Sequence, residues 1–201
     1  MAGVLRAAVV SLVVLASSCA PAREPLFFSK QFDPAAVRTV ALPPIVDVRA
    51  DRFEHVLATV RARHAAERVL STKGYTVEEI ELPEQIRSMT PLEASRISAE
   101  PLARAFAGVD THVLLIFLER LEQEGEGPGQ TSVTISAVLL DPRNQRVLWR
   151  DRSAEHSTLG GLLTVLSGGS ASYEAVYQAV RGVLRTLPAR RPVPQSGRRR
   201  R

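Results

Sequence analysis

The sequence predicts an α/β fold, a two-layer sandwich with helices packed on a mixed sheet. Three observations carry that expectation. Apolar residues recur at helical spacing over 53–70 and again over 173–187, whereas Tyr75 to Leu82 and Thr131 to Leu140 alternate with the period of two of a half-buried strand. Between them Val113 to Leu118 reads VLLIFL, apolar at every position, which suits a central strand buried on both faces. Of the 201 residues 45% are hydrophobic and 23% charged, which excludes wholesale disorder and fibrous repeats and fits one globular domain with ends that need not fold.

The first element is an export signal. Residues 7–16 read AAVVSLVVLA, a stretch of ten dominated by apolar side chains behind Met1 and Arg6. It is too short for a membrane span, which takes about 20 residues, and the right length for the hydrophobic region of a cleaved signal. It runs into Leu15-Ala16-Ser17-Ser18-Cys19, small residues before the only cysteine. This segment resembles the lipobox of bacterial lipoproteins, although Ala16 stands where leucine is commonest, and cleavage near Ala20 or Ala22 by the general signal peptidase is the alternative. The resemblance implies removal of residues 1–18, diacylglycerol on the Cys19 thiol and a third acyl chain on the new amino terminus. An unpaired cysteine in an oxidising compartment is a liability unless its thiol is used in this way. In the sorting rule of the Gram-negative lipoproteins that the segment resembles, Ala20 in place of an aspartate after the cysteine implies the outer membrane, periplasmic face.

Residues 19–37 read as a lipidated tether containing Pro21, Pro25 and Pro34. Phe27, Phe28 and Phe32 within it are expected to pack at the edge of the fold, because free aromatic side chains on a linker are unfavourable. The α/β domain is expected over 38–188. Its first strand, Thr39 to Val48, is interrupted by Pro43 and Pro44, which cannot donate to a ladder. Asp51 and Glu54 form a capping box ahead of a helix whose apolar face would be Phe53, Val56, Leu57, Val60, Val69 and Leu70, with Lys73-Gly74 as its stop. Strand Tyr75 to Leu82 completes a βαβ-like start. Thr90-Pro91-Leu92-Glu93 opens a second capped helix, Pro101 divides that region, and Ser98 caps a piece that runs to Phe106 and stops at Gly108.

After VLLIFL and a glycine-rich loop at 125–129 comes a hairpin, Thr131 to Leu140, turning at Asp141-Pro142-Arg143-Asn144 and returning from Val147. The last helix, Tyr173 to Leu187, ends at Pro188, and the basic tail 189–201 is expected to be disordered. The combination of the lipobox, the strand VALPP, the buried strand after AGVDTHVLLIFL and the hairpin SVTISAVLLDPRNQRVLWRDRS resembles small envelope lipoproteins with the fold of the curli-secretion lipoprotein and the amino-terminal domain of TolB. It covers Arg38 to Leu187. It implies a non-enzymatic component of envelope assembly or transport, often oligomeric, and names no cargo.

Charge excludes a nucleic-acid reading. The net charge of +5 comes from six arginines in the last dozen residues; without these and Arg6, 19 cationic side chains face 21 acidic ones, so the body is slightly acidic. His55, His64, His112 and His156 are dispersed and make no HExxH pair, no serine-hydrolase elbow or phosphate-binding loop occurs, and no catalytic residue, cofactor or metal is expected. Glu119, Glu122, Glu124 and Glu126 read as a solvated loop. His112 is either a pH switch or an ordinary strand-edge histidine. Leu162, Leu163, Val165 and Leu166 between glycine pairs would bury against a subunit, insert at the membrane interface or form a core-packed turn, and Trp149 is core or interface packing. Arg198 to Arg201 is a solubilising end or a lipid-phosphate contact.

The function expected is thus a membrane-anchored periplasmic lipoprotein, a non-catalytic accessory or binding subunit of an envelope assembly or transport system, oligomeric or bound to an envelope partner. The alternatives are a periplasmic hydrolase using scattered carboxylates, Glu78, Glu79, Glu81 or the loop glutamates, and a structural lipoprotein bridging membrane and wall.

Overall fold

The run Val113 to Leu118, apolar throughout, has to be covered on both faces, and the chain is organised around that requirement. The structure is a computed structural model that describes residues 23–50, 57–90, 93, 98–124, 130–157 and 171–190. In chain order the elements are β1 (Phe27–Phe28), β2 (Thr39–Leu42), β3 (Val46–Asp47), α1 (Leu57–Thr72), β4 (Thr76–Glu79), α2 (Glu84–Arg87), α3 (Ala99–Ala105), β5 (His112–Glu124), β6 (Gln130–Asp141), β7 (Arg146–Ser157) and α4 (Ala171–Leu184). The strands form one mixed sheet in the order β1-β7-β6-β5-β2-β4, with β3 also paired to β5. β2 lies parallel to both β4 and β5, and β5, β6 and β7 form an antiparallel meander.

Pro43 and Pro44 follow the end of β2 at Leu42. The chain pairs with β5 at Val40↔His112 and Ala41↔Val113, leaves it across the two prolines, which have no N–H to give, and rejoins it at Val46↔Phe117. Alternation along β2 and β5 then sorts the core into two. Val40, Leu42, Leu114, Ile116 and Leu118 point to the face covered by α1 and α4, and Ala41, Val113, Leu115 and Phe117 to the face where Ile86 of α2, Leu102 of α3 and Phe106 pack. The expected α/β sandwich therefore carries helices on both faces, α2 and α3 adding a partial third layer.

α1 packs through part of the expected apolar face, Leu70 and Val69, and otherwise through alanines. Its buried positions are Ala58, Ala62, Ala65, Ala66 and Leu70, while Leu57 and Val60 are 52% and 47% exposed. Small side chains let the helix axis come close to α4, a gain that the larger residues on the neighbouring stripe cannot supply. Phe53, Val56 and the Asp51/Glu54 capping box lie outside the described residues. At the other end Gly74 adopts φ +86°, with its N–H bonded to the Ser71 carbonyl and that of Tyr75 to the Leu70 carbonyl, the paired bonds of a left-handed helix stop.

The second capping box is present: the Thr90 N–H donates to Glu93 Oε2 at 2.7 Å and the Glu93 N–H to Thr90 Oγ1 at 3.3 Å. Ser98 stands at the start of α3 in extended backbone but makes no side-chain cap bond. The aromatic cluster of the tether lies at the edge of the fold as expected, but only Phe32 is buried, and Phe27 and Phe28 remain 45% and 44% exposed. Phe27 and Phe28 pair antiparallel with β7, Phe28 lies 5.5 Å from Phe32 between ring centroids, and Phe32 is buried. Beyond α4 the chain is stitched back to α1 and β4: Lys73 Nζ donates to the Leu187 carbonyl at 2.6 Å and the Tyr75 hydroxyl to the Pro188 carbonyl at 2.7 Å. Burial pushes the Tyr75 hydroxyl up to about 12, against the opposing charge of Arg190, so it remains a donor throughout the physiological range.

Candidate functional site

The sharpest polar feature is built where the amino-terminal segment meets β7 and α4. Strand alternation sends Trp149 and Asp151 of β7 to the same side, that of α4, and both are fully buried. A buried carboxylate is tolerated only if its oxygens are occupied. Asp151 Oδ1 accepts from Arg23 Nη2 at 2.9 Å and from the Arg152 N–H at 2.8 Å, while Oδ2 accepts the Thr186 hydroxyl at 2.7 Å. Thr186 Oγ1 in turn accepts from Trp149 Nε1 at 3.2 Å. The relay ties three distant pieces of sequence together, and its outer end, Arg23, is one-third exposed. Trp149 is thus core and not a free surface anchor. Composition gives no hint of the relay, since Arg23, Asp151 and Thr186 are unremarkable residues 128 and 35 positions apart.

Three of the carboxylates considered for hydrolysis are held in ion pairs. Glu79 pairs with Arg63 at 3.1 Å, Glu119 with Arg152 at 2.8 Å, and Glu122 with Arg120. Glu78 and Glu81 are exposed at the outer strand and the segment after it. A cavity of about 380 Å³ on the α2/α3 side of the sheet is lined by Leu26, Phe117, Val138 and Arg150 and touches Glu119 and Asp151, but both of these are held by arginines. A larger groove of about 730 Å³ runs between α1 and α4, lined by Arg68, Lys73, Arg181 and Arg185 against the single carboxylate Glu155, with Tyr177 in its wall. Desolvation lowers the Lys73 ammonium from its ordinary value. Among the described residues no three His, Cys, Asp or Glu side chains gather as a metal site, and no helix is long and apolar enough to cross a membrane.

His112 opens β5 half-buried. Burial pushes its imidazole below the ordinary value; the Asp141 carboxylate works the other way, and Arg146 and Arg143 add to the lowering. Burial alone would raise Asp141, but bonds from the Asn144 side chain and backbone and from Arg146 outweigh it and hold this carboxyl below its usual range, helped by His112. The unfolded chain takes up a proton at histidine near pH 6.5 and the folded chain only lower, so the contribution of His112 to stability is complete above that pH and falls on acidification. His112→Gln should make the decline in urea midpoint between pH 7 and pH 5 shallower. An unchanged slope would remove His112 from the acid response.

Cys19, Leu162, Leu163, Val165 and Leu166 lie outside the described residues, as do Glu126 and Arg198 to Arg201. No protein-family model matches the chain, and no curated protein matches it. Solved structures do. The hypothetical protein CT253 from Chlamydia trachomatis superimposes with a TM-score of 0.52 at 9% identity, over 76% of this chain and 96% of that one. The lipoprotein GNA1162 from Neisseria meningitidis gives 0.40 at 21% identity, over 65% and 95%, and a PelC dodecamer from Paraburkholderia phytofirmans 0.48 at 15%, over 79% and 92%. At 9% identity the likeness to CT253 shows a shared fold alone. None of the three is a curli-secretion lipoprotein or a TolB domain, and these likenesses do not show that family.

Proposed function

We propose that the chain is an exported bacterial lipoprotein, anchored through acylated Cys19 at the periplasmic face of the outer membrane. It acts there by binding, as an accessory subunit of an envelope assembly or transport system that is a homo-oligomer or holds an envelope protein partner. The observation that carries the reading is the lipobox-like Leu15 to Cys19 placed only four residues before Arg23, where the chain is already fixed to the domain. The ion pairs that hold Glu79, Glu119 and Glu122 support a binding role over a hydrolytic one. Each buried methylene of an acyl chain contributes about 0.8 kcal/mol and one chain binds only reversibly, so two or three chains on Cys19 are what make the attachment lasting.

Feeding radioactive palmitate to expressing cells tests the anchor. The wild-type protein should take up label, and Cys19→Ala should lose it and pass into the soluble fraction; equal labelling of the two would eliminate lipid on Cys19. Crosslinking in intact envelopes should recover protein neighbours, and recovery of peptidoglycan fragments alone would count against the transport role.

A further inference from the structure

We infer that the sheet edge carrying Leu26, Phe27 and Phe28 is a membrane-contact surface, pressed against the headgroup layer of the bilayer that holds the lipid on Cys19. The inference rests on the proposed lipidation of Cys19. Leu26, Phe27 and Phe28 are 68%, 45% and 44% exposed, three consecutive large apolar residues at one rim. They are held there from both sides. Before them Arg23 is locked to Asp151; after them the Ser29 N–H donates to the Leu148 carbonyl at 2.9 Å and Phe32 enters the core. A flexible tether could fold such residues away from water, whereas this one displays them.

The length of the leash selects the occupant. From Cys19 to Arg23 the chain advances four residues, at most about 14 Å when fully extended. A folded domain of this size has a radius of gyration of about 15 Å, so a lipid seated in the bilayer keeps the rim that bears Arg23 at the membrane and leaves the far side, with α1, away from it. Leucine and phenylalanine side chains match the boundary between headgroups and acyl chains, where an apolar face is buried. Three arginines near this rim are paired, Arg23 with Asp151, Arg146 with Asp141 and Arg152 with Glu119, and Lys30 is exposed beside the apolar residues. The apolar area and the short leash, and not a net basic charge, therefore select the membrane as the occupant. A second copy adding its own strand to this edge is a poorer fit, because β1 is two residues long and offers few ladder bonds.

The test uses the full lipidated chain, palmitate-labelled and reconstituted in vesicles of phosphatidylethanolamine and phosphatidylglycerol with brominated acyl chains, which quench indoles on contact. Phe27→Trp and, as a second variant at the more exposed position, Leu26→Trp report on the rim, and Val60→Trp on the remote face of α1. Trp149 is buried and supplies a constant background. The added emission at positions 26 and 27 should fall by half or more relative to unbrominated vesicles, and that at position 60 should not change. Equal quenching at all three positions, or none at 26 and 27 in labelled protein, would overturn the inference while leaving the anchor intact. So would a doubled mass with the rim indoles shielded from iodide in the absence of lipid, which would assign the edge to a second copy. A chain that carries no label overturns the anchor, and this orientation with it.

Discussion

Trp149→Ala should lower the unfolding free energy by about 4 kcal/mol, the scale of truncating a large buried aromatic side chain. The indole is fully buried between β7 and α4, and its removal leaves both a cavity and a Thr186 hydroxyl without its donor. For a domain whose total stability is of order 5–15 kcal/mol, that brings the chain close to its folding limit. The readout is a large drop in the urea midpoint with an unchanged m-value. Because the residue could equally have been an interface anchor on sequence grounds, the outcome discriminates: an unchanged midpoint with a change in oligomer mass would put Trp149 at a subunit contact.

Asp151→Ala is expected to cost about 2–3 kcal/mol. Breaking a buried ion pair from one side usually costs more, but Arg23 is one-third exposed and water recovers part of its solvation. What distinguishes this variant is where the loss appears. With Asp151 gone, Arg23 has lost its carboxylate, and the edge pairing Phe27↔Arg150 and Phe28↔Trp149 has only two residues to sustain it. Amide exchange at Ser29, whose N–H bonds the Leu148 carbonyl, should speed up before the rest of the sheet does. Uniform destabilisation with Ser29 still protected would mean that the aromatic packing of Phe28 and Phe32 fixes the segment without the relay. The same loosening would lengthen the leash from Cys19 beyond Arg23, so the relay also governs how closely the anchored domain is held.

Much of the fold was legible because it depends on local pattern. The VLLIFL run announces a strand needing cover on both faces, and β5 is central. The alternation in β6, followed by Asp141-Pro142-Arg143-Asn144 and a returning strand from Val147, announces a hairpin, and the bonds Asn144 gives to Asp141 at 2.7 and 3.2 Å show the turn chemistry at work. The amino-terminal half of the α1 face shows where pattern runs out, since Val69 and Leu70 pack as expected. Size of the apolar residue pointed to Leu57 and Val60, yet close approach to α4 favours the alanines one position over, and the partner helix 100 residues later cannot be seen in a window of eighteen.

The amino-acid order by itself determined the two long helices, the central strand, the hairpin and the lipobox-like segment ahead of Cys19, since each is written within a short stretch of neighbouring residues. Strand β1, read as tether, helix α2, and the extension of β5 through Glu119 to Glu124, read as loop, were not legible. Only the tertiary structure decided that Arg23, Asp151, Thr186 and Trp149 form one relay, that short helices cover part of the second sheet face, and that Leu26, Phe27 and Phe28 stand exposed at a fixed rim. The physical reason is range: hydrogen-bond satisfaction of a buried carboxylate and the exposure of a rim depend on which distant segments become neighbours, and periodicity carries no record of that.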